Sequence, residues 1–146
     1  MDHTSDHVRQ NLKTLRKESK MSLRVMSEAL ARRGVKMSHT TIGQAERGER
    51  SILVDELTAI AALFGVSPAS LLTPRNMSPE DRIQLSGTPE TTAKDMVAWV
   101  RGDESLEPEI RDDSFLAEGF RRRSLPKWLW KPWSPSSNGS ALRLAR

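Results

Sequence analysis

The chain has 146 residues, with 23 basic and 19 acidic side chains, a formal net charge of +4 and a hydrophobic content of 36%. Its length fits one modest domain with appendages, and a hydrophobic content below the usual ~45–50% indicates that part of the chain does not pack. The sequence has no Cys, which excludes disulfides, thiolate nucleophiles and Cys-ligated zinc.

No run of the sequence approaches the ~18 apolar residues that a membrane span requires, and the polar N-terminus does not resemble a signal peptide. We therefore expect a soluble, cytoplasmic protein without a membrane span. An isoelectric point of about 9.8 suits a polyanionic partner, although many basic proteins never bind nucleic acid.

Short blocks of apolar residues at helical spacing occupy positions 6–72, and they predict several small helices. Ser22 is a good N-cap for the second helix, which we expect to end near Arg33 because Gly34 suits the position after a helix end. The inward positions are Val8, Leu12 and Leu15 in the first helix and Leu23, Met26 and Leu30 in the second.

The third helix is short, over positions 39–47, with Ser38 as its N-cap and Gly48 after its end. Ile42 and Ala45 are its inward positions. The outward positions are predicted to be His39, Thr40, Gly43 and Gln44. We expect the absent side chain at Gly43 to let this helix approach a ligand closely.

A fourth helix is predicted over positions 54–64, ending at Gly65, and Ser67 with Pro68 opens a last short helix through Leu72. Its inward positions are Leu57, Ile60, Ala61 and Phe64. Five helices joined by short turns leave no room for a sheet. We therefore predict an all-α domain over residues 6–73.

The remainder of the chain changes in character. We expect a linker over 74–90 with one short strand at 82–85, and a smaller, mainly helical C-terminal extension over 91–133. In that extension Thr91 caps a helix that Gly102 ends, 103–113 is an acidic solvated linker and 114–123 is a short helix. Met96, Trp99 and Val100 form a packing or dimer stripe. A loosely ordered tail follows over 134–146.

The first half of the chain resembles the Cro/repressor-type helix-turn-helix family, also called the xenobiotic-response-element family, and is most similar to actinobacterial and actinophage members. The residues that carry the resemblance are Leu12-x-x-Leu15-Arg16, Ser22-Leu23-x-x-Met26-Ser27, Thr41-Ile42-x-x-Ala45-Glu46-Arg47-Gly48-Glu49-Arg50 and Leu57-x-x-Ile60-Ala61-x-x-Phe64-Gly65-Val66-Ser67-Pro68-x-x-Leu71-Leu72. Two departures stand out. Leu23 replaces the Gln that is frequent in the family, and the turn between the second and third helices is two or three residues longer than in the shortest members.

The resemblance implies that the second helix crosses the phosphates of double-stranded DNA while the third reads bases in the major groove. The implied base-reading residues are His39, Thr40 and Gln44, with Lys36 nearby. The implied phosphate-binding residues are Ser22, Arg24, Thr41, Arg47 and Arg50. The resemblance also implies a structural ion pair between Arg16 and Glu46.

A stretch of basic residues and tryptophans is the most unusual feature outside this domain. It is compatible with a protein partner, a second DNA contact or an anionic membrane surface, and equally with tryptophans that fold back as a small satellite core. Its members are Arg121, Arg122, Arg123, Lys127, Trp128, Trp130, Lys131 and Trp133.

The function that we predict is sequence-specific regulation of transcription, as a repressor bound to an operator in the nucleoid, with a homodimer favoured. The alternative is an antitoxin whose C-terminal segment binds a protein toxin. An enzyme is disfavoured because no combination of nucleophile, base and orienting group, and no phosphate-binding loop, is visible. We expect no cofactor and no metal, since the acidic spacing in 103–113 matches no calcium loop.

Overall fold

Four α-helices and one 3-10 turn form where the sequence predicts five helices. They are α1 (His3–Glu18), α2 (Leu23–Arg32), α3 (His39–Glu46), α4 (Val54–Phe64) and the turn Pro68–Leu71. The computed structural model describes residues 3–130, with side chains from residue 4 onward. The fifth predicted helix is thus one 3-10 turn, capped by the Ser67 hydroxyl at the Ser70 N–H.

Two serines begin the second and third helices as predicted. The Ser22 hydroxyl accepts a hydrogen bond from the Val25 N–H at 3.1 Å, and the Ser38 hydroxyl accepts one from the Thr41 N–H at the same distance. Each bond satisfies an N–H group that has no partner within its own helix. The starting points of α2 and α3 are therefore set locally.

The long turn between α2 and α3 does not extend α2. Gly34 takes a left-handed φ of 82°, and the Val35 N–H donates to the Leu30 carbonyl at 3.1 Å, which closes the helix end. Met37 is buried, and its carbonyl accepts a 2.6 Å hydrogen bond from the Ser27 hydroxyl. The extra residues are accommodated in a turn that packs against the core.

The core lies between α1, α2, α3, α4 and the 3-10 turn. Most predicted inward residues are buried, namely Val8, Leu12, Leu15, Met26, Leu30, Ile42, Ala45, Ile60 and Ala61. Leu23, Leu57 and Phe64 are only half-buried, although they pack against the same cluster.

A buried amide that the sequence did not single out joins the two ends of this helical domain. Asn11 on α1 donates from its side-chain nitrogen to the carbonyls of Leu71 at 3.0 Å and Thr73 at 2.8 Å. Both carbonyls lie at the end of the last turn, where backbone acceptors lack helical partners. Asn11 therefore fixes the C-terminal end of the domain to α1.

A small hairpin and a fifth α-helix continue the same compact unit, which extends to Arg101. Strand β1 (Arg82–Ile83) pairs antiparallel with β2 (Thr91–Thr92), and α5 (Ala93–Val100) follows. The strand predicted over 82–85 is present at Arg82–Ile83 only, and Ile83 and Leu85 are both buried. The predicted cap is displaced by one residue, because Thr92 and not Thr91 accepts from the Asp95 N–H.

The second compact unit begins at Gly102. It contains α6 (Pro108–Arg111), α7 (Ser114–Ser124) and a 3-10 turn (Lys127–Leu129). Helix α6 lies within the stretch that we expected to be a solvated linker, since Pro108 is well suited to a first helical position. The 91–133 segment is thus divided between the units. Lys131, Trp133 and the predicted tail over 134–146 lie outside the described residues.

None of the helices between residues 3 and 130 combines the length and the apolar character that crossing a bilayer requires.

Candidate nucleic-acid interface

Helix α3 has one buried face and one polar exposed face. Ile42 and Ala45 are completely buried, whereas His39 and Thr40 in the first turn are exposed and Gln44 is half-exposed. These three polar side chains can donate or accept hydrogen bonds at base edges. Lys36, in the turn before α3, is also exposed.

The first turn of α3 is held by a short polar network. The Ser38 and Thr41 hydroxyls lie 2.9 Å apart, in addition to the capping bond between the Ser38 hydroxyl and the Thr41 N–H. Helix N-termini carry free N–H groups and a partial positive charge, which favour a phosphate oxygen. The same turn therefore carries the side chains predicted to read bases, beside N–H groups suited to a phosphate.

The other end of α3 is fixed to α1 by an ion pair. Arg16 donates to Glu46 through Nε and Oε1 and, at 3.0 Å, through Nη2 and Oε2, while its Nη1 donates to the Met21 carbonyl at 2.9 Å. The Glu46 side chain is only 7% exposed. The hydrogen bond to Glu46 raises the pKa of Arg16 above its ordinary value. The orientation of α3 is thus set by a contact inside the domain.

Gly43 does not lie on the outward face, and that expectation was wrong. The residue is buried, and a Cβ atom there would meet Arg47 Nη1 at 3.2 Å and Leu23 Cδ1 at 3.5 Å. Its small size therefore lets α3 pack closely against Leu23 on α2. Leu23, which stands where the family often has Gln, is half-buried and packs on the core.

The predicted phosphate-binding side chains differ in their exposure to solvent and in whether they already form an ion pair. Ser22 and Arg24 are exposed at the start of α2. Arg47 is exposed and forms an ion pair with Glu49, with Nε–Oε1 and Nη2–Oε2 distances of 2.9 and 3.1 Å. The Arg47 hydrogen bond lowers the pKa of Glu49. This exposed pair can open to release Arg47 toward a phosphate, because such surface pairs contribute little stability.

Arg50, in contrast, is half-buried and its guanidinium group is bound by a carboxylate of the same domain. Its Nη1 and Nη2 donate to Glu56 at 2.8 and 2.7 Å, and Glu56 also accepts from the Leu53 N–H at 2.9 Å. The hydrogen bond from Arg50 lowers the pKa of Glu56, whereas burial acts in the opposite direction. Glu56 was missed at the sequence level, although an acidic residue in the third position of a helix is a known capping signal.

The basic and Trp-containing stretch lies in the second unit. Arg121 Nη1 lies 3.7 Å from Asp103 Oδ1. Arg122 Nε pairs with Glu118 Oε1 at 3.1 Å, and Arg122 Cζ lies 5.2 Å from the centre of the Trp130 ring. Trp130 folds back, because its indole N–H donates to the Leu125 carbonyl at 2.9 Å. Other members, Arg123, Lys127 and Trp128, are exposed.

Within the part of the chain that the structure describes, no group of three or more His, Asp and Glu side chains is arranged to hold a metal ion.

The short helix α3, with its core-anchored inner face and its polar outer face, defines a helix-turn-helix domain. Consistent with this geometry, residues 12–71 match a family model described as helix-turn-helix. The match supports DNA binding and transcriptional regulation by a domain of the xenobiotic-response-element type. No curated protein and no solved structure matches the chain significantly.

Proposed function

We propose that the chain is a sequence-specific regulator that binds double-stranded DNA through α3. The observation that carries this proposal is the division of α3 into a fully buried face and a face that displays His39, Thr40 and Gln44. A helix held in this way can place its first turns in a major groove ~12 Å wide. Lys36, which is exposed in the turn before α3, is a further candidate for a base contact.

Each base-reading residue has a defined chemical capacity in this proposal. The Gln44 amide can bond N6 and N7 of one adenine, the Thr40 hydroxyl or methyl can meet a thymine, and His39 can donate or accept. One good bidentate contact contributes ~1–3 kcal/mol of discrimination against the wrong base. Gln44 is therefore the residue whose loss should be most visible in the recognised sequence.

Phosphate binding in this proposal comes from the starts of α2 and α3. Ser22, Arg24, Thr41 and Arg47 supply hydroxyl and guanidinium donors beside free backbone N–H groups. The Ser22 hydroxyl can still donate, since it acts only as an acceptor in the cap. We assign Arg50 a different role, because its two terminal nitrogens bind Glu56. It orders the loop between α3 and α4.

We further propose that residues 6–73 form the DNA-binding domain and that the protein acts as a repressor in the cytoplasm, associated with the nucleoid, by occupying an operator. Repression follows from the family resemblance and not from any single residue. The alternative role, that of an antitoxin, requires a small protein partner bound by the C-terminal segment. Co-purification of such a partner from the native host would favour it.

Selection of bound sequences from random duplex DNA, performed with the full-length protein, tests the proposal. We expect enrichment of one motif whose conserved core fits one or two major-groove contacts. The proposal is wrong if no motif is enriched at ~100 mM salt while the protein remains folded, because specific sites bind typically 10³–10⁷ times more tightly than random DNA.

A further inference from the structure

An apolar groove on the second unit has no covering segment among the described residues. It has a volume of about 610 Å³ and is lined by Ile110, Phe115, Leu116 and Gly119 and by the apolar parts of Glu118, Arg122 and Arg123. Phe115 is 77% exposed and Leu116 is 45% exposed. Large adjoining apolar side chains that remain in water mark interaction sites in soluble proteins.

Gly119 lies in the middle of α7, where glycine is one of the least favourable residues. A Cβ atom at this position would have no atom of the chain within 4 Å. The packing of the described residues therefore gives no reason for glycine here. A partner helix does, because the missing side chain would let its backbone approach closely at the centre of the groove.

Most charges on and beside α7 lie near its two ends, and Glu118 within the helix pairs with Arg122. Asp112 and Asp113 lie at its start, and its last turn carries Arg121, Arg122 and Arg123. If two such helices run antiparallel and cross at Gly119, the acidic end of each meets the basic end of the other. By position, four residues before Gly119 is Phe115 and four after is Arg123, so each exposed ring would face an arginine stem.

We propose that the occupant of this groove is α7 of a second copy of the chain, in an antiparallel pair related by a twofold axis. A twofold interface must be complementary to itself, and the acidic and basic ends of α7 meet that requirement within one surface. The proposal deepens the regulatory function proposed above, since it places two DNA-binding domains in one particle. Self-association is measured without DNA, so its failure and that of DNA binding are distinguishable.

Sedimentation equilibrium of the full-length protein without DNA provides the first test. We expect reversible dimer formation, and we expect Gly119→Leu to weaken it ~10-fold or more because the leucine blocks close approach at the interface centre. Its thermal midpoint at monomer concentration should be equal to or above that of the wild type, because a side chain there meets open space. Trp128→Ala, which removes an exposed ring outside the groove, serves as the matched control and should dimerise normally.

A charge-exchange experiment tests the antiparallel arrangement itself. Arg123→Glu and Asp112→Lys should each self-associate more weakly, because like charges then face each other at both ends of the pair. A mixture of the two variants should recover a heterodimer, since both ends become attractive again.

Three results would overturn the proposal, of which two concern self-association. One is a wild-type protein that stays monomeric up to ~100 μM, a concentration at which even weak specific dimers form. The other is a dimer whose stability is unchanged in Gly119→Leu and in both charge variants. Recovery of a different protein bound through Phe115, with no self-association, would also contradict it.

Discussion

Arg16 on α1 and Glu46 at the end of α3 are separated by 30 positions and form a two-point ion pair that is almost closed to solvent, with side chains 14% and 7% exposed. This contact joins the first helix of the domain to α3, whose exposed face we propose reads bases. It also has a direct energetic consequence, because removing one member leaves the other charge buried.

We predict that Arg16→Met lowers the free energy of unfolding by about 3–5 kcal/mol, the usual loss when one partner of a buried ion pair is removed. The double variant Arg16→Met with Glu46→Met should be more stable than Arg16→Met alone, since no unpaired charge remains. Urea denaturation followed by circular dichroism measures all variants. The single variant Glu46→Met completes the set. If the losses of unfolding free energy in the two single variants add up to the loss in the double variant, the pair does not have this role.

The buried amide of Asn11 provides a second prediction. Asn11→Ala should lower the free energy of unfolding by about 1–3 kcal/mol, because the Leu71 and Thr73 carbonyls lose their donor. Asn11→Asp should be less stable still at neutral pH, since a carboxylate would face two carbonyl oxygens. Chemical denaturation at pH 7 ranks the stabilities of the wild type and the two variants. An aspartate variant more stable than the alanine variant would contradict the assigned bonds.

Glu56 gives a prediction about pH. Its folded-state pKa lies below the ordinary value of 4.5 because Arg50 hydrogen-bonds to the carboxylate. The carboxylate therefore stabilises the fold above the unfolded-state pKa, and this contribution is lost as pH falls through the folded-state pKa. In Glu56→Gln that contribution is absent. The difference in unfolding free energy from the wild type should be largest at neutral pH and should shrink on acidification.

Arg50→Gln serves as the companion variant for the pH experiment. It removes the first cause of the Glu56 pKa shift while keeping the carboxylate, so the acid-dependent loss of stability should again be smaller than in the wild type. Parallel pH profiles for the wild type and both variants would show that the pair does not govern this part of the acid response.

Gly43 provides a prediction about close packing between α2 and α3. Gly43→Ala should be tolerated, with a gain of up to ~1 kcal/mol from helix propensity, because the exposed end of Arg47 can move away from the new methyl group. Gly43→Leu should be destabilising, since a larger side chain meets Leu23. Thermal unfolding compares the two. Equal stability of the alanine and leucine variants would show that α3 does not require a small residue here.

The phosphate contacts can be separated from structural arginines by salt dependence. Arg24→Gln should reduce affinity for all DNA sequences alike and lower the slope of log K against log salt by ~1. Arg50→Gln should reduce protein stability and leave that slope close to the wild-type value. Lys13→Gln, on the exposed side of α1, should change neither quantity. The opposite assignment of Arg24 and Arg50 would contradict the proposed division.

Local signals explain what could be predicted from the sequence. Ser22 and Ser38 are caps whose bonds span three residues, and Gly34 lies directly after a helix end, so neighbouring residues suffice to place α2 and α3. The inward stripes were predictable for the same reason, because helical periodicity reveals the side that must be buried.

The contacts that were missed join distant parts of the chain. Asn11 bonds carbonyls 60 and 62 positions away, and no local pattern reveals such a bond. The partner of β1 was also missed, because Thr91–Thr92 is a strand of only two residues. Gly43 was predicted on the wrong face of α3. Glycine has no side chain, so its identity does not indicate whether its position is buried or exposed.

Gln44 provides the most direct test of the central claim, that the exposed face of α3 reads base edges. The measurement is the affinity of the full-length wild type and of Gln44→Ala for the selected duplex and for each of its single-base variants. We predict that the wild type loses ~1–3 kcal/mol of binding free energy when the base pair that Gln44 contacts is changed. Gln44→Ala should no longer distinguish bases at that position, while its discrimination at the other positions of the motif is retained. A variant with wild-type discrimination at every position would contradict the claim.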